Sequence, residues 1–127
     1  MIAVDSSALM AIVLGEASAN SCKNVLASED QFFISAVVLS EVLIVAASRG
    51  YRHLIEAIVD KLDIEVVPVT RDFAEDVARA YGQWGKGHHR AALNIVDCYS
   101  YVLARSMDCP LLFVGNDFNQ TDIRSAL

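Results

Sequence analysis

Apolar and polar positions along the chain fall into blocks whose period switches between that of a strand and that of a helix. Ile2-Ala3-Val4 is a short apolar run that stops at Asp5, and Ser6-Ser7 then reads as a helix start before the apolar stretch 8–14. Gly15 ends that helix, and a second, more polar one fits 16–29. Gln31-Phe32-Phe33-Ile34 reads as a strand, with Ser35 capping a helix that runs through Ser48 and stops at Gly50. Leu54, Ile55, Ile58, Val59 and Leu62 recur at helical spacing and predict an amphipathic helix over 51–62. Ile64-Glu65-Val66-Val67 predicts a strand, and Thr70 caps a helix running to about Tyr81. A glycine-punctuated basic loop over 82–90 follows, then a long helix from about Ala91 to Met107. Pro110 opens the strand Leu111-Leu112-Phe113-Val114, which turns at Gly115 into Asn116-Asp117.

Apolar strands separated by helices predict an α/β fold of three layers, α/β/α, with a mainly parallel sheet covered on both faces. Active sites in such sheets form beyond the carboxyl ends of the strands. Asp5 and Asp117 both follow strand candidates, which places them at that edge. The 127 residues are one domain's worth, and 54% hydrophobic content supplies a sizeable core and excludes disorder. No repeat, low-complexity tract or linker divides the chain, so 1–127 reads as a single domain.

Composition narrows the function. No positive region precedes the first apolar run, and 8–14 is too short to span a bilayer, so a cytoplasmic protein is expected. The cysteines Cys22, Cys98 and Cys109 have no paired spacing and read as small buried hydrophobes in a reducing compartment, which disfavours a zinc site. The net charge of −6 argues against a nucleic-acid binder, since phosphate affinity comes mostly from Lys and Arg. Bound divalent cations, or a few clustered basic residues, would answer that objection.

Four carboxylates carry the candidate chemistry. Glu41 has Val37, Val38, Ile44 and Val45 as its helical neighbours, and a carboxylate in such a stripe is costly to bury without a positive partner. Exposure on the solvent side, or pairing with Arg49, is the bland alternative. Asp97 shares its helix face with Leu93, Asn94, Ser100 and Tyr101, which reads either as a polar stripe of function or as a solvated face. Asp5 alone would be a helix cap and Asp117 alone a turn residue. Together, two strand-end and two helix carboxylates could converge on one point, where they would repel each other unless a divalent cation neutralised them. An all-oxygen set suits Mg²⁺ or Mn²⁺ and the hydrolysis of phosphodiesters.

The same residues resemble a known family over nearly the whole chain. Ile2-Ala3-Val4-Asp5-Ser6-Ser7-Ala8-Leu9 is similar to the first acidic motif of the PIN-domain ribonucleases of the VapC toxin type, and Ser35-Ala36 through Glu41 to Arg49-Gly50 resembles their second-acid helix. Gly85-Lys86-Gly87-His88-His89 and Leu93-Asn94-Ile95-Val96-Asp97 resemble the basic loop and third acid, and Leu111-Leu112-Phe113-Val114-Gly115-Asn116-Asp117-Phe118 the last motif. The resemblance implies a PIN fold with about five parallel strands and an endoribonuclease dependent on Mg²⁺ or Mn²⁺. It further implies action on structured RNA such as transfer or ribosomal RNA, neutralisation by a cognate antitoxin, and a homodimer. Asp5, Glu41, Asp97 and Asp117 would be the catalytic, metal-binding acids, with Ser7 and Asn116 as their polar supports. Lys86, His88, His89 and Arg90 would contact RNA.

Several positions depart from the family's pattern or leave alternatives open. Arg90 stands where many relatives have Pro, Val96 where a Gly is frequent, and Val114 where a Lys is frequent; none is a metal ligand, but all would alter the cleft that sets RNA preference. Asp122 competes with Asp117 as fourth acid and reads as a structural partner of Thr121. The basic loop is either a phosphate contact or a solvated turn, and Trp84 either stacks a base or packs in a core or dimer interface. Arg71, Arg79 and Arg105 read as solvent-facing. A receiver domain would need an acidic pair after the first strand and a Lys after the last, a haloacid-type phosphatase an Asp at position 7, and a dinucleotide fold its glycine fingerprint; all are missing. A catalytically silent PIN-like interaction module remains the alternative.

Overall fold

The structure, a computed structural model, describes all 127 residues. Its elements in chain order are β1 (Ile2–Val4), α1 (Ser6–Leu14), α2 (Ala19–Ser28), β2 (Phe32–Ser35), α3 (Ala36–Ser48) and α4 (Arg52–Lys61). There follow β3 (Glu65–Val67), α5 (Arg71–Trp84), α6 (Ile95–Ser106) and β4 (Leu111–Leu112). The four strands form one parallel sheet in the order β3-β2-β1-β4. Beyond β4, Ser125 bridges Leu111 in parallel, a single-residue start of a fifth strand. No helix is long and apolar enough to cross a membrane.

Strand alternation assigns the layers. Ile2 and Val4 of β1, Phe32 and Ile34 of β2, and Leu112 of β4 face a core shared with Leu9, Leu26, Val38, Val42 and Ile55 of α1 to α4. Ala3 and Leu111 point the other way, into a core with Phe73 and Val77 of α5 and Tyr101, Val102 and Leu103 of α6. A fully buried Leu or Ile contributes roughly 1.5–3 kcal/mol, so the two cores hold the strand ends that carry the acids in fixed register. All three cysteines are free and buried, as their spacing predicts.

The helix read over 16–29 begins only at Ala19, and three boundaries nearer the acids also differ from the sequence reading. α5 continues through Gly82 to Trp84 rather than ending near Tyr81, so the basic loop begins only at Gly85. A Cβ at Gly85 would lie 2.4 Å from the Tyr81 carbonyl oxygen, so only glycine permits this close exit from the helix. α6 starts at Ile95, not Ala91: Ala92 has a positive φ of 51°, and Gly85 pairs with Leu93, which holds 85–93 as a closed turn. β4 stops at Leu112, two residues short of the expected strand.

Candidate active site

Asp5 sits where β1 hands over to α1, as the helix cap and as a buried carboxylate only 5% exposed. Its Oδ2 accepts the Ser7 backbone N–H at 3.1 Å and the Ser7 hydroxyl at 2.6 Å. Ser7 Oγ in turn accepts the Val114 N–H at 3.0 Å, which ties the end of β1 to the segment leading to Asp117. The other oxygen of Asp5 accepts the hydroxyl of Ser100, on α6, at 2.5 Å. On α3, half-buried Glu41 accepts the Ser6 hydroxyl at 3.0 Å and makes no pair with Arg49. Three serines thus fasten three other acid-bearing segments to the first: Ser6 to α3, Ser7 to the Val114 segment, Ser100 to α6.

Asp97 occupies the first turn of α6 in a reciprocal cap. Its N–H donates to Asn94 Oδ1 at 2.8 Å, and its Oδ2 accepts the Asn94 N–H at 3.0 Å. Such a cap is worth about 1 kcal/mol to the helix and fixes the side chain. Burial pushes the Asp97 carboxyl up to about 6; the Asn94 hydrogen bond opposes this, and the charges of Asp5, Asp117 and Glu41 add to it. The charges of Asp5, Asp117 and Glu41 thus all reach Asp97. Asp117 is exposed, in the turn that Gly115 opens with φ +102°.

One expected support, Asn116, and the rival fourth acid, Asp122, meet partners other than those expected. The side-chain oxygen of Asn116 accepts the Asn119 amide at 2.9 Å on the surface and reaches no carboxylate, so Asn116 holds the turn rather than the acids. Asp122 accepts the Tyr101 hydroxyl at 2.8 Å and faces Arg105 at 3.7 Å, while Thr121 gives its hydroxyl to the Phe118 carbonyl; Asp122 is structural, but its partners are on α6. Ser6 and Ser100 are absent from the sequence-derived site. The signal for Ser100 was its place one turn after Asp97 on a polar face, but only the fold shows which carboxylate it meets.

The donor set fits a hard divalent cation. Every ion pair in the protein uses an acid outside the cluster, so Asp5, Glu41 and Asp97 have hydroxyl or N–H donors, and none of the four acids, exposed Asp117 included, has a cationic partner. A buried carboxylate beside three others is an electrostatic deficit that a cation removes. No three Asp, Glu, His or Cys side chains close tightly around one point. The oxygen-only donors are of the kind hard cations take, and no closed cage of the zinc type is formed.

Next to the acids, a groove of about 540 Å³ runs between α5 and α6, lined by Tyr81, Lys86, Asn94, Ile95 and Tyr99 among others. Of the loop's basic residues Lys86 lines this groove; Lys86, His88 and Arg90 are all exposed, and neither Lys86 nor Arg90 is in an ion pair. His89 is different: its Nδ1 accepts the Ala91 N–H at 3.0 Å and its ring packs edge-on against Trp84 at 4.8 Å. His89 is therefore a brace of the loop. Trp84 itself packs against the α5–α6 core, beside Tyr101. Arg71, Arg79 and Arg105 are solvent-facing, each paired with an acid on the surface.

Known proteins share both sequence and shape with this chain. Residues 2–124 match the PIN domain. Ribonuclease VapC42 of Mycobacterium tuberculosis is 39% identical over 127 residues, 97% of each chain. The crystal structure of Mycobacterium tuberculosis VapC20, described as a sarcin-ricin loop cleaving toxin, superposes with a TM-score of 0.81 at 22% identity, over 97% of this chain and 96% of that one. A toxin–antitoxin complex from Klebsiella pneumoniae contains a chain that superposes with a TM-score of 0.75 at 16% identity, over 96% and 93%. By the domain match over residues 2–124 and by 39% identity to VapC relatives over nearly the whole chain, the chain belongs to the PIN-domain family, among the VapC ribonucleases.

Proposed function

We propose that this chain is an endoribonuclease that hydrolyses phosphodiester bonds in structured RNA with Mg²⁺ or Mn²⁺, and that a separate antitoxin protein neutralises it. The observation that carries the reading is the set of four converging carboxylates that no Lys or Arg in the chain neutralises. The VapC relatives, named as ribonucleases, support the same chemistry. Asp5, Glu41, Asp97 and Asp117 would hold the cation, which when bound acidifies a water and stabilises charge on the scissile phosphate. Asp5 is pinned before any substrate arrives, so its contribution needs no reorganisation. Asp97 keeps Oδ2 on the Asn94 N–H, which leaves Oδ1 without a protein partner. Lys86, His88 and Arg90 would meet RNA phosphates along the groove, with His89 shaping their loop.

The same cluster explains control. Four acids without a cation attract a basic side chain, and an Arg from the partner could pair with them in place of metal. The structural neighbour from Klebsiella pneumoniae is a toxin–antitoxin complex, which supports such a partner. Raising Mg²⁺ at fixed antitoxin should then weaken inhibition; inhibition indifferent to metal would place the partner elsewhere. A homodimer is the expected assembly, and the apolar residues Ile44 and Val45, exposed on α3 near Glu41, are consistent with a covered face. The reading as a whole is tested by mapping RNA ends in cells expressing the chain or its Asp5→Ala variant. New ends that appear only with the unaltered chain support it, and identical end patterns reject it.

A further inference from the structure

An ionised carboxylate offers about four lone-pair directions, two on each oxygen. At Asp5 three are occupied within the protein. Oδ2 accepts both the N–H and the hydroxyl of Ser7, at 3.1 and 2.6 Å, and Oδ1 accepts the hydroxyl of Ser100 at 2.5 Å. Ser7 cannot easily turn away, because its Oγ also holds the Val114 N–H. Ser100 is 1% exposed and Asp5 5%, so water does not compete for the contact between them.

The Ser100 bond is not what a serine on a helix ordinarily makes. Such a hydroxyl commonly returns to a backbone carbonyl one turn back. Ser28, Ser40, Ser48 and Ser106 all do so, at 2.7–3.0 Å. Ser100 instead spans 95 positions of sequence to reach the first acid of the cluster. It lies one turn after Asp97 on α6, so a single hydrogen bond also sets the spacing between the Asp5 and Asp97 carboxylates.

Resting on the metal-dependent reading above, we infer that Ser100 is a positioning residue that leaves Asp5 one free lone pair, on Oδ1, so that Asp5 serves one cation through one oxygen. A bidentate grip needs Oδ2, which Ser7 has filled. Bridging two cations needs either both oxygens or two free lone pairs on Oδ1, and Ser100 closes the second route. One-oxygen ligation matches the octahedral, water-rich shell of Mg²⁺ or Mn²⁺ and disfavours Ca²⁺, which takes carboxylates in both modes and with more ligands.

The test is a calorimetric and electron-spin-resonance titration of the full chain with Mn²⁺, comparing the unaltered protein with Ser100→Cys, Ser100→Ala and, as a control, Ser106→Ala. The unaltered chain and the Ser106→Ala control should bind one tight, magnetically uncoupled Mn²⁺. Ser100→Ala should bind it about 10- to 100-fold more weakly, the usual effect of losing a partner that orients a ligand. Ser100→Cys should fall between, since a thiol is a weak donor. Metal-free melting of Ser100→Ala should fall, since a buried carboxylate oxygen loses its donor, and saturating Mn²⁺ should restore its RNA cleavage. Equal Mn²⁺ affinity in Ser100→Ala would overturn the role of Ser100 while leaving the metal-dependent reading intact. Two spin-coupled Mn²⁺ ions in the unaltered chain would overturn the single-cation assignment. An unaltered chain that binds no Mn²⁺ would overturn the metal-dependent reading, and this inference with it.

Discussion

At the carboxyl ends of the strands, acids meet acids; on the outer helices, acids meet arginines. Arg52 pairs with Glu56 at 2.6 Å and Arg71 with Glu75 at 3.3 Å, and Arg79 pairs with Asp76, all within single helices. Asp5, Glu41 and Asp97 have only hydroxyl and N–H partners, and Asp117 is exposed and outside every ion pair. The surface pairs are exposed and screened, worth about 0–1 kcal/mol each. Burial of Asp97, and to a lesser extent the charges of its acidic neighbours, works against folding, as its raised carboxyl shows. The contrast teaches that the net charge of −6 is no argument against RNA: part of it is concentrated where a cation can be recruited.

The largest effect should come from removing one cluster charge. Asp97→Asn keeps the side-chain shape, so cleavage should fall at least ~100-fold, the loss of about 2.7 kcal/mol or more typical of a missing electrostatic stabiliser. Its metal-free melting temperature should hold or rise as repulsion is relieved. Glu75→Gln, on the surface, should cleave normally in the same single-turnover assay. Comparable losses in both would dissolve the distinction between the two regions.

A middle-sized effect belongs to the basic loop. Changing Lys86 and Arg90 together to Ala should weaken RNA binding and lower the salt slope by about two, roughly one per lost phosphate contact. Filter binding across a salt series measures both, and an unchanged slope would make the loop merely solvated.

Acidity sharpens the comparison further. The Asp97 carboxyl titrates near 6 in the folded chain against an ordinary value of 3.8. Between those values the folded state keeps a proton that the unfolded state has lost, so metal-free stability should fall as pH rises from about 4 to 6, then level off. Urea midpoints should show this slope reduced in Asp97→Asn; an equal slope in both would assign it to other groups. The smallest effect is expected of Arg79→Ala, which should shift stability by less than about 1 kcal/mol and leave cleavage untouched.

Much of the architecture was legible because strand alternation and helix caps are local signals. Ser35 and Thr70 cap their helices as their residue types predict. The start of α6 was misplaced because Ala91 and Ala92 favour helix locally, whereas the Gly85–Leu93 bridge and the His89–Ala91 bond bend 85–93 away from it. The pair Asn94 and Asp97 was the better local signal, a cap and its reciprocal partner three residues on. The convergence of the acids was open to inference from strand ends and helix faces. The contacts of Ser100, Asn116 and Asp122 were not, since each depends on which distant segment the packing brings near.

The account rests on cation-dependent cleavage at the acid cluster. Its most direct test is RNA hydrolysis by the purified chain as a function of Mg²⁺ or Mn²⁺, with excess chelator as the zero point and Asp97→Asn alongside. The account predicts no cleavage in chelator, recovery on re-addition of Mn²⁺, and a flat response in the variant at the same metal concentrations. Full cleavage in chelator, or an Asp97→Asn chain as active as the original, would contradict it.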